Sequence, residues 1–446
     1  PSQSVGWRKS PHQPATMRFT LLLSPLAPTA WAIDNGLGHT PPMGWRSWNL
    51  YGANVDQLLI ESMMDAMVDR KRTVDGVPTS LCDLGYCDVG LDDNWQTCGG
   101  GQKYSFHDDS GVPIINQERF PDMIAMTAHA HKLGLTAGWY GNNCICRESR
   151  EATEAMYRGD VAALTLFGFD AVKLDGCGTQ YDLDLWARLL NGTGRPVMIE
   201  NCHWGRTVPN ATWCPWNFFR TSGDISANYG SVVNNLQTTV QWADKGLSRP
   251  GCWAYPDMLE VGCGRNGQPA LSFAEMRSHF GAWAIVSSPL TLSHDLKDDK
   301  IMDLVWPVIS NKEAIAINQA WAGHSGSPFK HAVETVRLDY ESIVDDALVT
   351  RPSWVPKWQV FRKPLGGGKV AVLMLNHASH PQTLTLSFAD VPSLSCTMCN
   401  VRDVWEQKDL SPAANFTAED LAAHDSRFLV LSPITPKDAA KTVIVS

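Results

Sequence analysis

Between residues 40 and 320 the chain repeats one pattern: a short apolar run, a few polar residues, then a longer stretch with helical spacing. The strand candidates are Val89–Asp93, Thr136–Tyr140, Ala171–Leu174, Val197–Glu200 and Pro289–Leu292. Between them, Val55, Leu58, Leu59, Met63 and Met67 recur on one face of a helix. Ser272-Phe273-Ala274-Glu275 reads as a capping box that opens another helix, carrying Met276, Phe280 and Trp283. Alternating β–α units over about 280 residues fit a closed (β/α)₈ TIM barrel better than an open sheet, which is usually shorter. After about residue 325 the texture becomes β-rich, with Trp358–Phe361, Val370–Leu375 and Thr383–Phe388 separated by turns such as Gly366-Gly367-Gly368. The expected fold is α/β: a barrel over 33–322, followed by a C-terminal antiparallel β-sandwich over 323–446.

Residues 1–32 read as an extension and a leader. Met17-Arg18, the apolar run from Phe19 and the Ala30-Trp31-Ala32 site have the order of a signal peptide. Elsewhere no apolar stretch is long enough to span a bilayer. Twelve cysteines without a zinc spacing point to disulfides in an oxidising compartment. Sequons at Asn191, Asn210 and Asn415 add the expectation of glycosylated surface loops. The destination expected is the secretory pathway: outside the cell, or a lysosome or vacuole. A net charge of −9 advertises no surface for nucleic acid or anionic lipid.

Barrel enzymes keep their chemistry at the C-terminal ends of the strands. Here those ends supply Trp48, the pair Asp92-Asp93, Tyr140, Lys173 with Asp175, Cys202 with Trp204, Arg220 with Asp224, and Asp257-Met258. The sequence has neither a phosphate-cradling glycine loop nor a G-x-S-x-G elbow. Carboxylates around an aromatic pocket are what glycosidic cleavage needs, since one attacks the anomeric carbon and another protonates the leaving oxygen. Taken singly, each motif has a plainer reading. Asp92-Asp93 could cap a helix, Lys173 and Asp175 could be a same-face ion pair, and Asp224 or Asp257 could shape a turn. Trp45, Trp95, Trp139 and Trp283 are expected in the core.

Seven stretches occur together in order: Pro41–Asn49, Leu91–Trp95, Lys173–Cys177, Arg220–Ile225, Pro256–Leu259, Trp283–Leu290 and Ala314–Gln319. They resemble glycoside hydrolase family 27, the α-galactosidase (melibiase) and α-N-acetylgalactosaminidase family. The likeness spans most of 40–320 and continues at Val401–Trp405. It implies that Asp175 is the nucleophile and Asp224 the acid/base of a retaining exo-glycosidase acting on terminal α-linked galactose. It also implies that Asp92 and Asp93 bind sugar hydroxyls, that Trp48 stacks on the ring, and that Tyr140, Lys173, Cys202, Trp204, Arg220, Asp257 and Met258 complete the pocket. The family works without metal or organic cofactor, and the partner implied is an α-galactoside. The oligomeric state is open, with a homodimer as the candidate assembly.

Lys173 lies two residues before Asp175 on one strand, so both point to the same face, and the cation is expected to keep Asp175 ionised. Asp224 is expected to hold the proton, and retention of configuration requires carboxyls about 5–5.5 Å apart. Cys177 is expected to bond Cys144 or Cys146 and brace the loop beside the nucleophile. The chain departs from the family at His203, where plant and fungal galactosidases carry Glu, and at Tyr255, where an Asp is usual. Asn94 and Asn142-Asn143 also differ from many members. The bulk of Trp204 favours galactose over N-acetylgalactosamine. α-N-acetylgalactosaminidase, β-L-arabinopyranosidase and a non-catalytic galactose-binding lectin are the competing readings.

Overall fold

A computed structural model describes residues 31–434, apart from residues 34 and 345–346. The expected leader lies outside these residues, except that the backbone of Trp31–Ala32 pairs in parallel with Trp213–Cys214.

Eight parallel strands form one curled sheet: β1 (Met43–Arg46), β2 (Asp88–Gly90), β3 (Thr136–Gly141), β4 (Ala171–Asp175), β5 (Met198–Cys202), β6 (Phe218–Arg220), β7 (Trp253–Tyr255) and β8 (Leu290–Leu292). Their spatial order is β7-β6-β5-β4-β3-β2-β1-β8. The seam between the two edges is bridged by Leu259 N–H, which donates to the Thr291 carbonyl at 2.8 Å. The helices between strands are α1 (Gln57–Val68), α2 (Met123–Lys132), α3 (Glu154–Phe167), α4 (Leu183–Gly192), α5 (Tyr229–Gln237) and α6 (Phe273–Ile285), with α7 (Asp299–Ile309) and α8 (Lys312–Gln319) after β8. The connection from β5 to β6 is instead a loop, tied down by the Cys214–Cys252 disulfide.

Local chemistry explains the helix starts. Asp56, Asp122, Asp182, Asn228, Asp298 and Asn311 each accept a first-turn N–H, satisfying donors that would otherwise be orphaned. The Ser272–Glu275 capping box of α6 forms in both directions. Trp45, Trp95, Trp139 and Trp283 are buried core residues, as expected. The three sequon asparagines are exposed, although Asn191 sits on the last turn of α4 and Asn415 is the first residue of a strand, rather than in loops.

After α8 the described residues hold ten strands: β9 (Ser327–His331), β10 (Thr335–Val344), β11 (Ala347–Pro356), β12 (Trp358–Gly366), β13 (Lys369–Asn376), β14 (Gln382–Ser387), β15 (Cys399–Asp403), β16 (Lys408–Ala413), β17 (Asn415–Leu421) and β18 (Ser426–Pro433). A six-stranded sheet, ordered β9-β12-β13-β18-β15-β16, faces the β14–β17 pair. Strand β13 explains how this layer joins the barrel. Val370, Val372 and Met374 enter the sandwich core, while Ala371, Leu373 and Leu375 alternate with them and enter the barrel core. A strand buried on both faces reads as a continuous apolar run, as Val370–Leu375 does. The β10–β11 hairpin belongs to neither sheet layer and lies against α5.

Candidate active site

Ten disulfide-bonded cysteines and two free ones account for the twelve. Cys177 bonds Cys144, so the loop after β3 is fastened to the loop after β4. That staple sits on the rim of a pocket of about 1130 Å³ at the C-terminal end of the barrel strands. Trp48, Asp92, Asp93, Tyr140, Lys173, Asp175, Trp204, Arg220, Asp224, Asp257 and Met258 all line it. Cys202 does not. It is buried behind Arg220, whose Nη1 donates to its Sγ at 3.3 Å, so its thiol contacts the guanidinium instead of the pocket wall.

Strand β4 places the central pair. Lys173 and Asp175 share the inward face, but the Lys173 ammonium bonds Asp92 at 2.8 Å and stands 3.8 Å from Asp175. Asp175 accepts instead from the Tyr140 hydroxyl at 3.1 Å and from Gly176 N–H at 2.7 Å. Burial raises its pKa to about 7, the Lys173 charge lowers it only in part, and Asp224 raises it further. Lys173 thus lowers the Asp175 pKa in the direction expected, but desolvation outweighs a cation already committed to Asp92.

Asp224 behaves in the opposite way. Its side chain is 53% exposed to the pocket, and Arg220 bonds it at 2.9 Å. Burial within the pocket raises its pKa, but Arg220 and Lys173, with a hydrogen bond from Trp204, hold it below the usual carboxylate range. The expectation that Asp224 holds a proton at the start is opposed here by the charges of Arg220 and Lys173. The two carboxyls feel one another, since the Asp224 charge is among the causes that raise the pKa of the drier Asp175.

Asp257 links the walls. One oxygen accepts from Met258 N–H and the other from Ile225 N–H, both at 2.8 Å, and Arg220 lies 2.8 Å away. Burial pushes Asp257 up to about 6 against the pull of Arg220. Asp93 is likewise held by backbone. It accepts from Cys144 and Ile145 N–H at 2.8 and 2.9 Å, clamping the stapled loop. Asn94, Asn142, Trp204 and Asp257 all carry positive φ, at 88°, 64°, 49° and 93°. Such conformations cost energy in non-glycine residues and gather where a site must hold groups in place. Gly176 is required here, because a Cβ would lie 2.9 Å from the Trp204 ring.

The departures at 203 and 255 resolve spatially. His203 is turned from the pocket: Nδ1 pairs with the Thr207 hydroxyl at 2.9 Å and the ring meets Tyr181 edge-on. Burial holds it near 4, so it is neutral at pH 7. Trp204 and Arg206 form the wall instead, the guanidinium 5.2 Å from the indole centroid. Tyr255 is buried in the barrel interior against Phe218.

Sequence reasoning gave no role to several groups. Arg46 reaches up the barrel interior to Glu200 at 3.0 Å and Asp92 at 3.8 Å. Strand parity could have flagged Glu200, which pairs in register with Lys173 as Cys202 does with Asp175. His107 had no such signal. It bridges Asp160 at 2.9 Å and Glu148 at 3.3 Å, fully buried beneath the rim loop that carries Glu148. Tyr340, Glu341 and Arg351, from the β10–β11 hairpin, also line the pocket.

Residues 40–320 match the family described as alpha galactosidase A, and 356–431 match the alpha galactosidase C-terminal beta sandwich domain. The chain is 30% identical to an alpha-galactosidase of Oryza sativa subsp. japonica, covering 90% of this chain and 87% of that protein. It is also 30% identical to the alpha-galactosidase of Cyamopsis tetragonoloba, over 90% and 89% of the two chains. In structure it is similar to alpha-galactosidase I from Mortierella vinacea, with TM-score 0.73, 27% identity, and 89% and 98% of the two chains covered. With both matches falling on the barrel and the sandwich just described, the chain belongs to the alpha galactosidase A family of glycoside hydrolases.

Proposed function

We propose that this chain is a retaining, exo-acting α-galactosidase in which Asp175 is the nucleophile and Asp224 the acid/base. One observation carries the assignment: two electrostatically coupled carboxyls share one pocket, Asp175 6% exposed and Asp224 opening onto its wall. The deep carboxyl suits attack on an anomeric carbon held beneath the rim. The open one suits proton delivery to an oxygen that leaves toward solvent.

In the first step a lone pair of Asp175 forms a bond to C1, the glycosidic C1–O bond breaks, and the Asp224 proton passes to the departing oxygen. In the second, Asp224 takes a proton from water, the resulting oxygen attacks C1, and the C1–Asp175 bond breaks. Two displacements restore the starting configuration. The lining acids Asp92, Asp93, Glu148, Asp175, Asp224, Asp257 and Glu341 outnumber the lining cations Arg147, Lys173, Arg206, Arg220 and Arg351, and that excess negative charge favours an oxocarbenium-like transition state.

Substrate resolves the proton's location. A sugar displaces water from the pocket, and Asp224 has more hydration to lose than Asp175, which is already dry. Desolvation raises the Asp224 pKa, while positive charge growing at C1 favours ionised Asp175. The proton thus moves to the group that must donate it. Trp48 supplies the apolar face for the ring, and Asp92, Lys173, Arg220 and Asp257 surround its hydroxyls. Trp204, backed by Arg206, fills the wall where an N-acetyl group would need space, which supports galactose over N-acetylgalactosamine.

We read 33–322 as the catalytic unit and 323–446 as the sandwich unit. Five disulfides fit folding in an oxidising compartment, and no described helix is long and apolar enough to cross a membrane. Delivery to a lysosome or vacuole, or to the outside, is the proposed destination. Hydrolysis of an aryl α-galactoside tests the assignment. Asp175→Ala abolishes turnover, and an unchanged rate ends it.

A further inference from the structure

The β10–β11 hairpin occupies the span that neither family match covers, between residue 320 and residue 356. Ten cross-strand pairs run from Thr335↔Pro356 to Val344↔Ala347. Residues directly paired across an antiparallel ladder share a face. One face therefore carries Val336 and Val355, Leu338 and Ser353, then Tyr340 and Arg351. Its base packs on α5, where Val355, Val336 and Leu338 cluster with Tyr229 and Val233. Farther along, Tyr340 and Arg351 line the pocket, together with Glu341.

The docking is built into the helix. Gly230 lies inside α5, and a Cβ there would strike the Asp339 carbonyl oxygen. Glycine is a poor helix former, and here it permits backbone contact with β10. The same helix holds the acid/base loop, because the Asn235 amide donates to the Gly223 and Pro256 carbonyls at 3.2 and 3.0 Å. One helix thus positions both the Asp224 loop and the hairpin.

That coupling decides what the hairpin meets. An acid that protonates the glycosidic oxygen stands on the leaving-group side of the scissile bond. The aglycone must therefore pass between Asp224 and the wall that continues through Asn234 to the hairpin. The volume of about 1130 Å³ exceeds the ~300–1,000 Å³ typical of small-molecule sites, so there is room beyond one sugar ring. Tyr340 offers an aromatic ring, Arg351 donors and Glu341 an acceptor. An aromatic face with both kinds of hydrogen-bonding group matches a neutral sugar, which has apolar C–H faces and hydroxyls that donate and accept.

We infer that the β10–β11 hairpin is an aglycone-recognition element, with Tyr340, Arg351 and Glu341 binding the sugar unit attached to the departing oxygen. The inference rests on the α-galactosidase reading above and names the outer half of that site. It makes the enzyme selective for oligosaccharides over galactosides with small aglycones.

The test compares kcat/KM on raffinose with kcat/KM on 4-nitrophenyl α-galactoside for Tyr340→Ala, Arg351→Ala and the control Trp354→Ala. Trp354 is 66% exposed, lies on the face opposite Tyr340 and Arg351, pairs with Arg337, and does not line the pocket. The raffinose-to-aryl ratio is expected to fall about tenfold in each of the first two variants, the loss of roughly one good contact, and to stay at the wild-type value in the control. A ratio unchanged in both variants, whether the two rates fall together or neither falls, overturns the inference, as does an equal drop for the control. If the wild-type chain releases galactose from neither substrate, the activity assignment itself fails, a result separable from a changed ratio.

Discussion

Lys173 gives its ammonium to Asp92 at 2.8 Å while standing 3.8 Å from Asp175, so the barrel's central cation serves Asp92 first and Asp175 second. Burial raises the Asp175 pKa to about 7, and the cation lowers it only in part. The activity of the pair requires one proton shared between Asp175 and Asp224, and kcat/KM reports the free enzyme's ionisations.

A pH profile of kcat/KM is therefore expected to be bell-shaped, with its alkaline limb near pH 7, where the pair loses that proton. Lys173→Met removes a charge that lowers the Asp175 pKa, so the limb moves to higher pH while the maximum rate drops. A limb that stays in place in the variant contradicts this account.

The two carboxylates separate by leaving group. Asp224→Ala is expected to cost about 10²–10⁴-fold on a galactoside with a poor leaving group, the usual scale of general acid catalysis. Loss on a dinitrophenyl galactoside is expected to be much smaller in bond cleavage, because that anion departs without a proton. Asp175→Ala loses both. NMR of the first-formed sugar should show the α-anomer, and initial release of β-galactose would rule out double displacement.

His107 is expected to matter for stability. It sits between Asp160 and Glu148, all three buried, and although burial lowers its pKa the two acids lift it to about 9. Its folded value lies above the unfolded value of about 6.5. Its stabilising contribution is thus complete below about pH 6.5 and disappears as pH rises through 9. His107→Ala leaves two buried acids without their cation and is expected to cost about 3–5 kcal/mol. Denaturant melts at pH 6 and pH 10 check it, since the gap between variant and wild type should narrow at the higher pH.

Gly176→Ala probes the nucleophile loop. The added methyl meets the Trp204 ring at 2.9 Å and lies 3.4 Å from the His203 Cα. Overpacking of this kind costs about 1–3 kcal/mol, and the indole must shift on the pocket wall. A lower Tm with a raised KM for aryl α-galactoside is the expected result. A variant with wild-type KM would show that the Trp204 wall does not contact the sugar.

Much of the site was legible because barrel chemistry is locally encoded. Each strand ends where its functional residues begin, so Asp92-Asp93, Lys173-x-Asp175 and Arg220-x-x-x-Asp224 could be read one strand at a time. Strand parity also put Lys173 and Asp175 on one face. Cys202 obeys the same parity yet lies behind Arg220, because facing inward does not say which of two side chains fills the space first. The disulfides show the same limit: Cys202 lies near Cys214 in sequence, but Cys214 bonds Cys252.

The sequence by itself determined the β–α alternation, the appended β layer and the acids at the strand ends, since these follow from short-range periodicity and from residues adjacent to strand ends, while the choice of Asp175 and Asp224 among those acids came from the family resemblance. Only the tertiary structure decided which of the two carboxyls is the drier, that His107 lies between two acids, and that Tyr340 and Arg351 reach a site built from the ends of the barrel strands. Those outcomes depend on desolvation and on contacts between remote segments. Both are properties of the packed volume around a group, and neither is carried by its neighbours along the chain.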